Sequence, residues 1–358
     1  MSSSSSSTSL SSSINWAIIS TGKIASDFTQ CLKIVKQARI IGVCSRSKQS
    51  ASAFIEKHQL DDAVAYDSID TMVNNDKIDV IYVASPHTLH YTHTLQALEG
   101  KKHVLCEKPV TLNTQQYQHL IQIANQHKRF LMQALWTRFF PLTHQIQQII
   151  KTGTIGKLRA LTADFGFVND MTNERLFKPE LGGGALLDIG IYVVNWAQLL
   201  LGEDKTPTSV KAHAVLYPEY GTDEQCTIAI QYQDRLASLI CTLASNTPRE
   251  CVIMGDKGTI RIHRPHWCPT KATLTLDNGE TKIIECPLPQ QLEKVQFNFD
   301  NSQGLFYEAQ HVTDALLEGS TESLLMTHDS SLNIMKVLDE VRAQIKLEYP
   351  KDLEQTKK

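Results

Sequence analysis

Three groups of residues have types and spacings suited to chemistry. Glu107-Lys108-Pro109 sets an amine directly behind an apolar run, where it can exchange a proton with a bound molecule. Asp188, Tyr192 and Asn195 are the polar positions in an otherwise apolar helical run over 182–196. Their spacing of four and then three puts them on one face. With apolar residues on the other faces, that helix is expected to be buried all round, so the stripe must meet a pocket or a buried hydrogen-bond network. Ser20-Thr21-Gly22-Lys23-Ile24-Ala25 reads as a Gly-x-Gly-x-x-Ala turn whose first glycine is serine, and such a turn admits a pyrophosphate onto the amino terminus of a helix.

The elements that must position these groups follow from hydrophobic pattern. Strand-like runs at 16–20, 39–44, 64–66, 78–84, 102–106 and 129–134 alternate with helical stretches such as 24–35 and 88–98. This is the rhythm of βαβ units, and right-handed crossovers turn it into a doubly wound parallel sheet. The fingerprint then sits at the first βα turn. Ser85-Pro86-His87 and Glu107-Lys108-Pro109 close the fourth and fifth strands at the carboxyl edge, where open α/β sheets bind ligands. The second strand ends in Ser45-Arg46, where an acidic residue would bind a ribose 2′-hydroxyl. Arginine suits a 2′-phosphate, which points to NADP. His87, His90 and His93 are three residues apart and fan around a helix with no further ligand nearby, so they are expected at the cofactor edge and no metal is expected.

Beyond Pro141 the pattern changes to a helix, a long strand at 157–167, the apolar helix, and then strands at 210–216, 225–231 and 236–243. Gly255-Asp-Lys-Gly258 and Asp277-Asn278-Gly279 read as hairpin turns, and helices at 304–317 and 329–345 follow. The expected plan is a disordered Ser-rich tail (1–13), a Rossmann domain (14–136), a mixed or antiparallel open-faced sheet with helices (137–346) and a polar tail (347–358).

The formal charge of −3 over 358 residues provides no field for nucleic acid or an acidic membrane. Small-molecule partners are expected, and no apolar stretch is expected to reach the ~20 residues that span a bilayer. Eight cysteines without a Cys-x-x-Cys pair fit buried thiols in a reducing, cytoplasmic setting.

The motifs together resemble the glucose-fructose oxidoreductase, inositol dehydrogenase and rhizopine-catabolism (Gfo/Idh/MocA) family, with Glu107-Lys108-Pro109 at the expected place. The stretches 134–141, 181–192 and 266–270 are similar to the dimeric dihydrodiol dehydrogenases and the NADP-dependent D-xylose dehydrogenases, and the likeness covers nearly all of 14–342. The resemblance implies that Lys108 and Tyr192 are a catalytic pair, that Asp188 orients them or the substrate, and that Trp136, Arg138, Arg175 and Trp267 border the pocket. It also implies NADP held by residues 20–24 (Ser20, Thr21, Gly22, Lys23, Ile24), Ser45, Arg46, Ser85, Pro86, His87, His90, Glu107 and Lys108, and a homodimer formed through the open sheet face. The expected reaction is oxidation of a ring hydroxyl, with D-xylose as the main substrate and a trans-dihydrodiol as the alternative. A catalytically silent NADP-binding regulator on the same fold is the rival, which would have no need of Lys108 or Tyr192. Two departures stand out: Ser20 in place of glycine, and Gln133 where glutamate is expected.

Overall fold

The computed structural model describes residues 13–203 and 205–356; apart from Ser13, the expected Ser-rich tail lies outside the described residues. Apolar β-rich runs build six strands, β1 (Ile14–Ile19), β2 (Ala38–Cys44), β3 (Val64–Tyr66), β4 (Val80–Val83), β5 (His103–Glu107) and β6 (Leu131–Ala134). They pair in the order β3-β2-β1-β4-β5-β6, all parallel. The order reverses at β1, which opens a crevice beyond the carboxyl ends of β1 and β4. β4 and β6 are buried along their whole length, as strands covered on both faces must be.

The intervening helices are α1 (Lys23–Leu32), α2 (Lys48–His58), α3 (Ile69–Val73), α4 (His87–Glu99) and α5 (Thr114–His127). Three of them start on a side-chain cap: Ser47 accepts from the Ser50 amide, Ser68 from Thr71 and Asn113 from Gln116. α1 has none. Its N-cap is Gly22, so amide donors of its first turn stay available to a ligand.

After α6 (Pro141–Lys151) comes β7 (Leu158–Gly166), then a loop, a π-helical turn (Leu186–Gly190) and α7 (Ile191–Leu200). The strands β8 (Ser209–Leu216), β9 (Asp223–Tyr232), β10 (Arg235–Thr242), β11 (Cys251–Gly255), β12 (Gly258–Ile262), β13 (Lys271–Leu276) and β14 (Thr281–Glu285) complete a mixed sheet. Its order is β14-β13-β12-β11-β7-β10-β9-β8; β7 and β10 run parallel and every other pair is antiparallel. Both expected hairpin turns form, between β11 and β12 and between β13 and β14. Burial alternates along β9 and β10, one face packing on the π-helical turn and, from β10, on α7, while Leu236, Ile240, Val215 and Ile283 stand exposed on the other.

The run Pro179–Leu200 is, by length and composition, apolar enough to cross a membrane, against the expectation of no such stretch, but 94% of its apolar window is buried inside the protein. It is the helix under the second sheet. α8 (Leu305–Leu317) and α9 (His328–Ile345) tie the two sheets together, α8 packing on α1 and α9 on α5, α7 and β8. The segment expected as a polar tail also packs back: Leu347 and Tyr349 are buried, a short helix α10 (Lys351–Glu354) forms, and Gln116 donates to the Leu353 carbonyl at 2.7 Å. Its apolar residues, set two apart among charged ones, find a groove that no local pattern announces.

Candidate active site

A cavity of about 940 Å³ opens where the crevice of the parallel sheet faces the second domain. From the first βα turn it receives Ser20, Gly22, Lys23 and Ile24; from the ends of β4 and β5 it receives Ser85, Pro86, His87, His90, Glu107 and Lys108. The second domain contributes Arg175, Asp188, Tyr192 and Trp267, and Trp136 comes from the domain junction. Thr21, Ser45 and Arg46 are outside its walls, although Thr21 Oγ1 and Ser45 Oγ lie 3.4 Å apart and so put the end of β2 beside the βα turn.

Ser20 explains the usual glycine at its position. Its φ is +95°, a backbone region that costs an L-residue strain. Its Oγ accepts the Gly22 amide at 3.2 Å, so serine both strains the turn and occupies a donor that would face a pyrophosphate. The uncapped start of α1 nevertheless fits a dinucleotide: a Cβ on Gly22 would approach only Ser20 Oγ, at 3.4 Å, and Lys23 lines the same mouth.

The charged centre is built on Asp188. Lys108 Nζ donates to its backbone carbonyl at 2.6 Å and to Oδ1 at 3.1 Å, and Arg175 donates to Oδ1 at 2.7 Å and Oδ2 at 3.4 Å. Burial alone would push this carboxyl up, but Arg175 and Lys108 outweigh it and hold Asp188 well below the usual carboxylate range. The Lys108 ammonium lies 5.1 Å from the centroid of the Tyr192 ring. Trp136 Nε1 donates to the Tyr192 hydroxyl oxygen at 3.1 Å. Burial, followed by the charge of Glu107, pushes the Tyr192 phenol well above its usual range, so it holds its proton in the free protein.

The surroundings lock this arrangement. Tyr82 donates to Glu107 Oε1 at 2.5 Å, and Glu107 Oε2 accepts the Lys108 amide at 3.2 Å. His87 Nδ1 lies 3.0 Å from the Gly182 carbonyl, and burial, Arg175 and Lys108 keep its ring neutral. His90 sits between the Pro109 and Ser85 carbonyls at 2.6 and 2.8 Å, and burial pushes it down to about 4, so a neutral ring donates to one of them. His93 Nδ1 lies 3.0 Å from Ser85 Oγ.

One expectation is corrected. Arg138 does not line the cavity; it is buried, donating from Nε to Asn195 Oδ1 at 2.7 Å and from Nη1 to the Leu325 carbonyl at 3.4 Å. The polar stripe therefore divides, Asp188 and Tyr192 facing the cavity and Asn195 belonging to a buried network, because the helix passes from cavity wall to core within two turns. Gln133, where glutamate is expected, also stands outside the cavity walls. Its Oε1 accepts the Val110 amide at 2.9 Å, bracing the loop just after Lys108.

Sequence reasoning missed much of the outer wall. Phe165 stacks on Trp267 with centroids 3.8 Å apart and an interplanar angle of 14°, forming a flat apolar side. Asn169, Asp170 and Arg249 add polar groups, and Asn298, Phe299 and Asp300 close the far side. The last loop is anchored on α1 by Asp27, which accepts from the Asn298 amide at 3.0 Å and from Ser302 Oγ at 2.7 Å. These residues come from separate loops without a local motif.

Residues 14–135 match a family model described as "Oxidoreductase family, NAD-binding Rossmann fold", and residues 143–261 match the GFO/IDH/MocA C-terminal domain. The chain is 35% identical over 342 residues to a trans-1,2-dihydrobenzene-1,2-diol dehydrogenase from Danio rerio, covering 95% of this chain and 99% of the relative. Among solved structures, a 3-ketoreductase from Actinomadura kijaniata in complex with NADP superposes with a TM-score of 0.76 at 21% identity, covering 93% of this chain and 98% of that one. An oxidoreductase from Agrobacterium radiobacter in complex with NAD+, L-tartaric acid and magnesium gives a TM-score of 0.80 at 19% identity, over 94% and 97% of the two chains.

Proposed function

This chain belongs to the GFO/IDH/MocA oxidoreductase family, and we propose that it oxidises a ring hydroxyl of a trans-dihydrodiol with NADP as cofactor. The observation that carries this reading is the Lys108 ammonium set 5.1 Å from the Tyr192 ring at the wall of a cavity shared with the uncapped start of α1. When bound, the nicotinamide supplies the acceptor for the hydride that leaves the hydroxyl-bearing carbon.

The chain's own residues handle the proton and the orientation. The Trp136 indole occupies a lone pair of the Tyr192 oxygen and leaves the phenolic O–H free to turn toward a substrate oxygen. In oxidation the substrate hydroxyl gives its proton to the deprotonated form of Tyr192 or of Lys108, and in the reverse direction the protonated group returns it. Lys108 has three donors, of which Asp188 takes two; the third serves the substrate oxygen and favours its anionic form. Asp188, itself held by Arg175, keeps the ammonium in place.

The relative's name and the flat Phe165 and Trp267 wall favour the diol over D-xylose, the main expectation from sequence. Asn169, Asp170 and Thr172 at the cavity wall offer hydrogen bonds to a polyol, which keeps an aldopentose oxidised to its lactone as the second reading. Arg46, exposed at the end of β2, favours NADP through its fork of donors to a 2′-phosphate. The exposed Leu236, Ile240, Val215 and Ile283 favour a homodimer across the open sheet, with sizing at twice the monomer mass as the expected result. Eight unpaired, buried thiols favour a reducing compartment such as the cytoplasm.

The test follows reduced-cofactor absorbance with NADP or NAD and a panel of trans-dihydrodiols and pentoses. Diol turnover with NADP is expected, and Tyr192→Phe should lower kcat by ~100-fold. Cofactor binding without turnover on any of them would favour the silent regulator.

A further inference from the structure

Asp223, the first residue of β9, lies outside the cavity and is fully buried. Its Oδ2 accepts the amide of Leu186 at 2.6 Å. Leu186 is the first residue of the π-helical turn, and its amide is one of the donors that a helix start leaves without an internal partner. Two residues on stands Asp188, whose carbonyl and carboxylate both hold Lys108. Asp223 Oδ1 has no hydrogen-bond partner and would lie 2.1 Å from a Cβ on Gly184, whose φ of +119° also requires glycine. The neighbouring Thr222 donates from Oγ1 to the Phe177 carbonyl at 2.5 Å, two residues beyond Arg175. The start of β9 thus grips both limbs of the segment that carries Arg175 and Asp188.

We propose that Asp223, assisted by Thr222, is a positioning residue that sets the π-helical turn and through it fixes Lys108 for proton transfer. A π-turn is less favourable than regular α-helix and persists where outside bonds stabilise it. Here the outside bond is the short contact from Asp223 to the first amide of the turn. Without it the amide is buried and unsatisfied, and the turn relaxes toward α-helical winding, which rotates Asp188 away from Lys108. Burial pushes the Asp223 carboxyl up to about 7, so a neutral acceptor meets the same demand and asparagine is the conservative replacement.

The kinetic part rests on the proposed diol oxidation; the labelling part does not. In the full chain, Asp223→Ala, Asp223→Asn and Thr222→Val are compared for kcat and KM with trans-1,2-dihydrobenzene-1,2-diol, for KM with NADP, and for acetylation of Lys108 by acetic anhydride. Acetylation is read by peptide mass spectrometry against the exposed Lys36. Asp223→Ala should lower kcat and speed Lys108 acetylation, each by ~tenfold, the scale of one lost buried hydrogen bond, with KM for NADP unchanged. Asp223→Asn should restore both, and Thr222→Val should move both in the same direction as Asp223→Ala, carrying the test where that variant does not fold. Unchanged Lys108 labelling in the folded variants overturns the proposal. A wild-type protein inactive on the diol overturns the functional reading and leaves the labelling to decide this one.

Discussion

Replacing Lys108 by methionine separates chemistry from architecture. The change keeps the length of the side chain and removes two charge-assisted bonds to Asp188, at 2.6 and 3.1 Å. Asp188 does not become an orphan charge, because Arg175 still holds it at 2.7 and 3.4 Å. The stability loss is therefore ~1.5–3 kcal/mol, the value of hydrogen bonds to a charged group. Asp188→Asn is different. It leaves Lys108 and Arg175, with side chains 14% and 37% exposed, facing each other without a counter-charge. Breaking a buried pair in that way costs ~3–5 kcal/mol. In catalysis the order reverses: losing a group that exchanges the proton lowers kcat by ~10²–10⁴, or ~2.7–5.4 kcal/mol of barrier, whereas losing its partner leaves the amine present. Urea unfolding midpoints and steady-state kinetics on both variants test this. The reasoning is refuted if Lys108→Met keeps more than about a tenth of wild-type kcat, or destabilises the chain more than Asp188→Asn does.

Three further outcomes are expected. Arg46→Ala should weaken NADP binding by ~tenfold in fluorescence titration and leave NAD binding unchanged, since only the former has a 2′-phosphate for the guanidinium. Ser20→Gly relieves a positive φ worth ~1–2 kcal/mol against a glycine entropy cost of ~0.5–1 kcal/mol and frees the Gly22 amide, so it should raise the unfolding midpoint slightly and tighten cofactor binding; weaker binding would count against the uncapped turn as the pyrophosphate site. Asp188 has a folded-state pKa below its unfolded value, so its stabilisation is present above an unfolded pKa of ~3.9 and is lost as pH falls further. The stability gap between wild type and Asp188→Asn should accordingly narrow from pH ~5 toward pH ~2, and a gap that widened would contradict the ion-pair account.

The parallel domain and its ligand edge were legible in the chain because their signals are local. A strand buried on both faces must be apolar throughout, as β4 is, and a turn that feeds a helix must place its glycine at one position, as Gly22 does. Lys108 could be placed at the carboxyl edge by counting strands. Spacing also put Asp188 and Tyr192 on one face of one helix.

What spacing could not reveal is which neighbour each member of that face meets. Asn195 continues the same stripe, yet it bonds Arg138 inside the core, and Arg138 leaves the pocket for the same reason. The outer wall, from Phe165 through Arg249 to Phe299, joins residues more than a hundred positions apart in the chain, and the two limbs gripped by Thr222 and Asp223 are joined through the start of β9, a strand that pairs with β8 and β10. The sequence by itself determined the element types, the ligand edge of the parallel sheet and which titratable residue types stand there, since these depend on period, turn chemistry and residue type over a few positions. Tertiary structure alone decided their partners, the charge state of Asp188 and the shape of the pocket, because burial and electrostatic pairing are properties of what packs around a group and not of what precedes it in the chain.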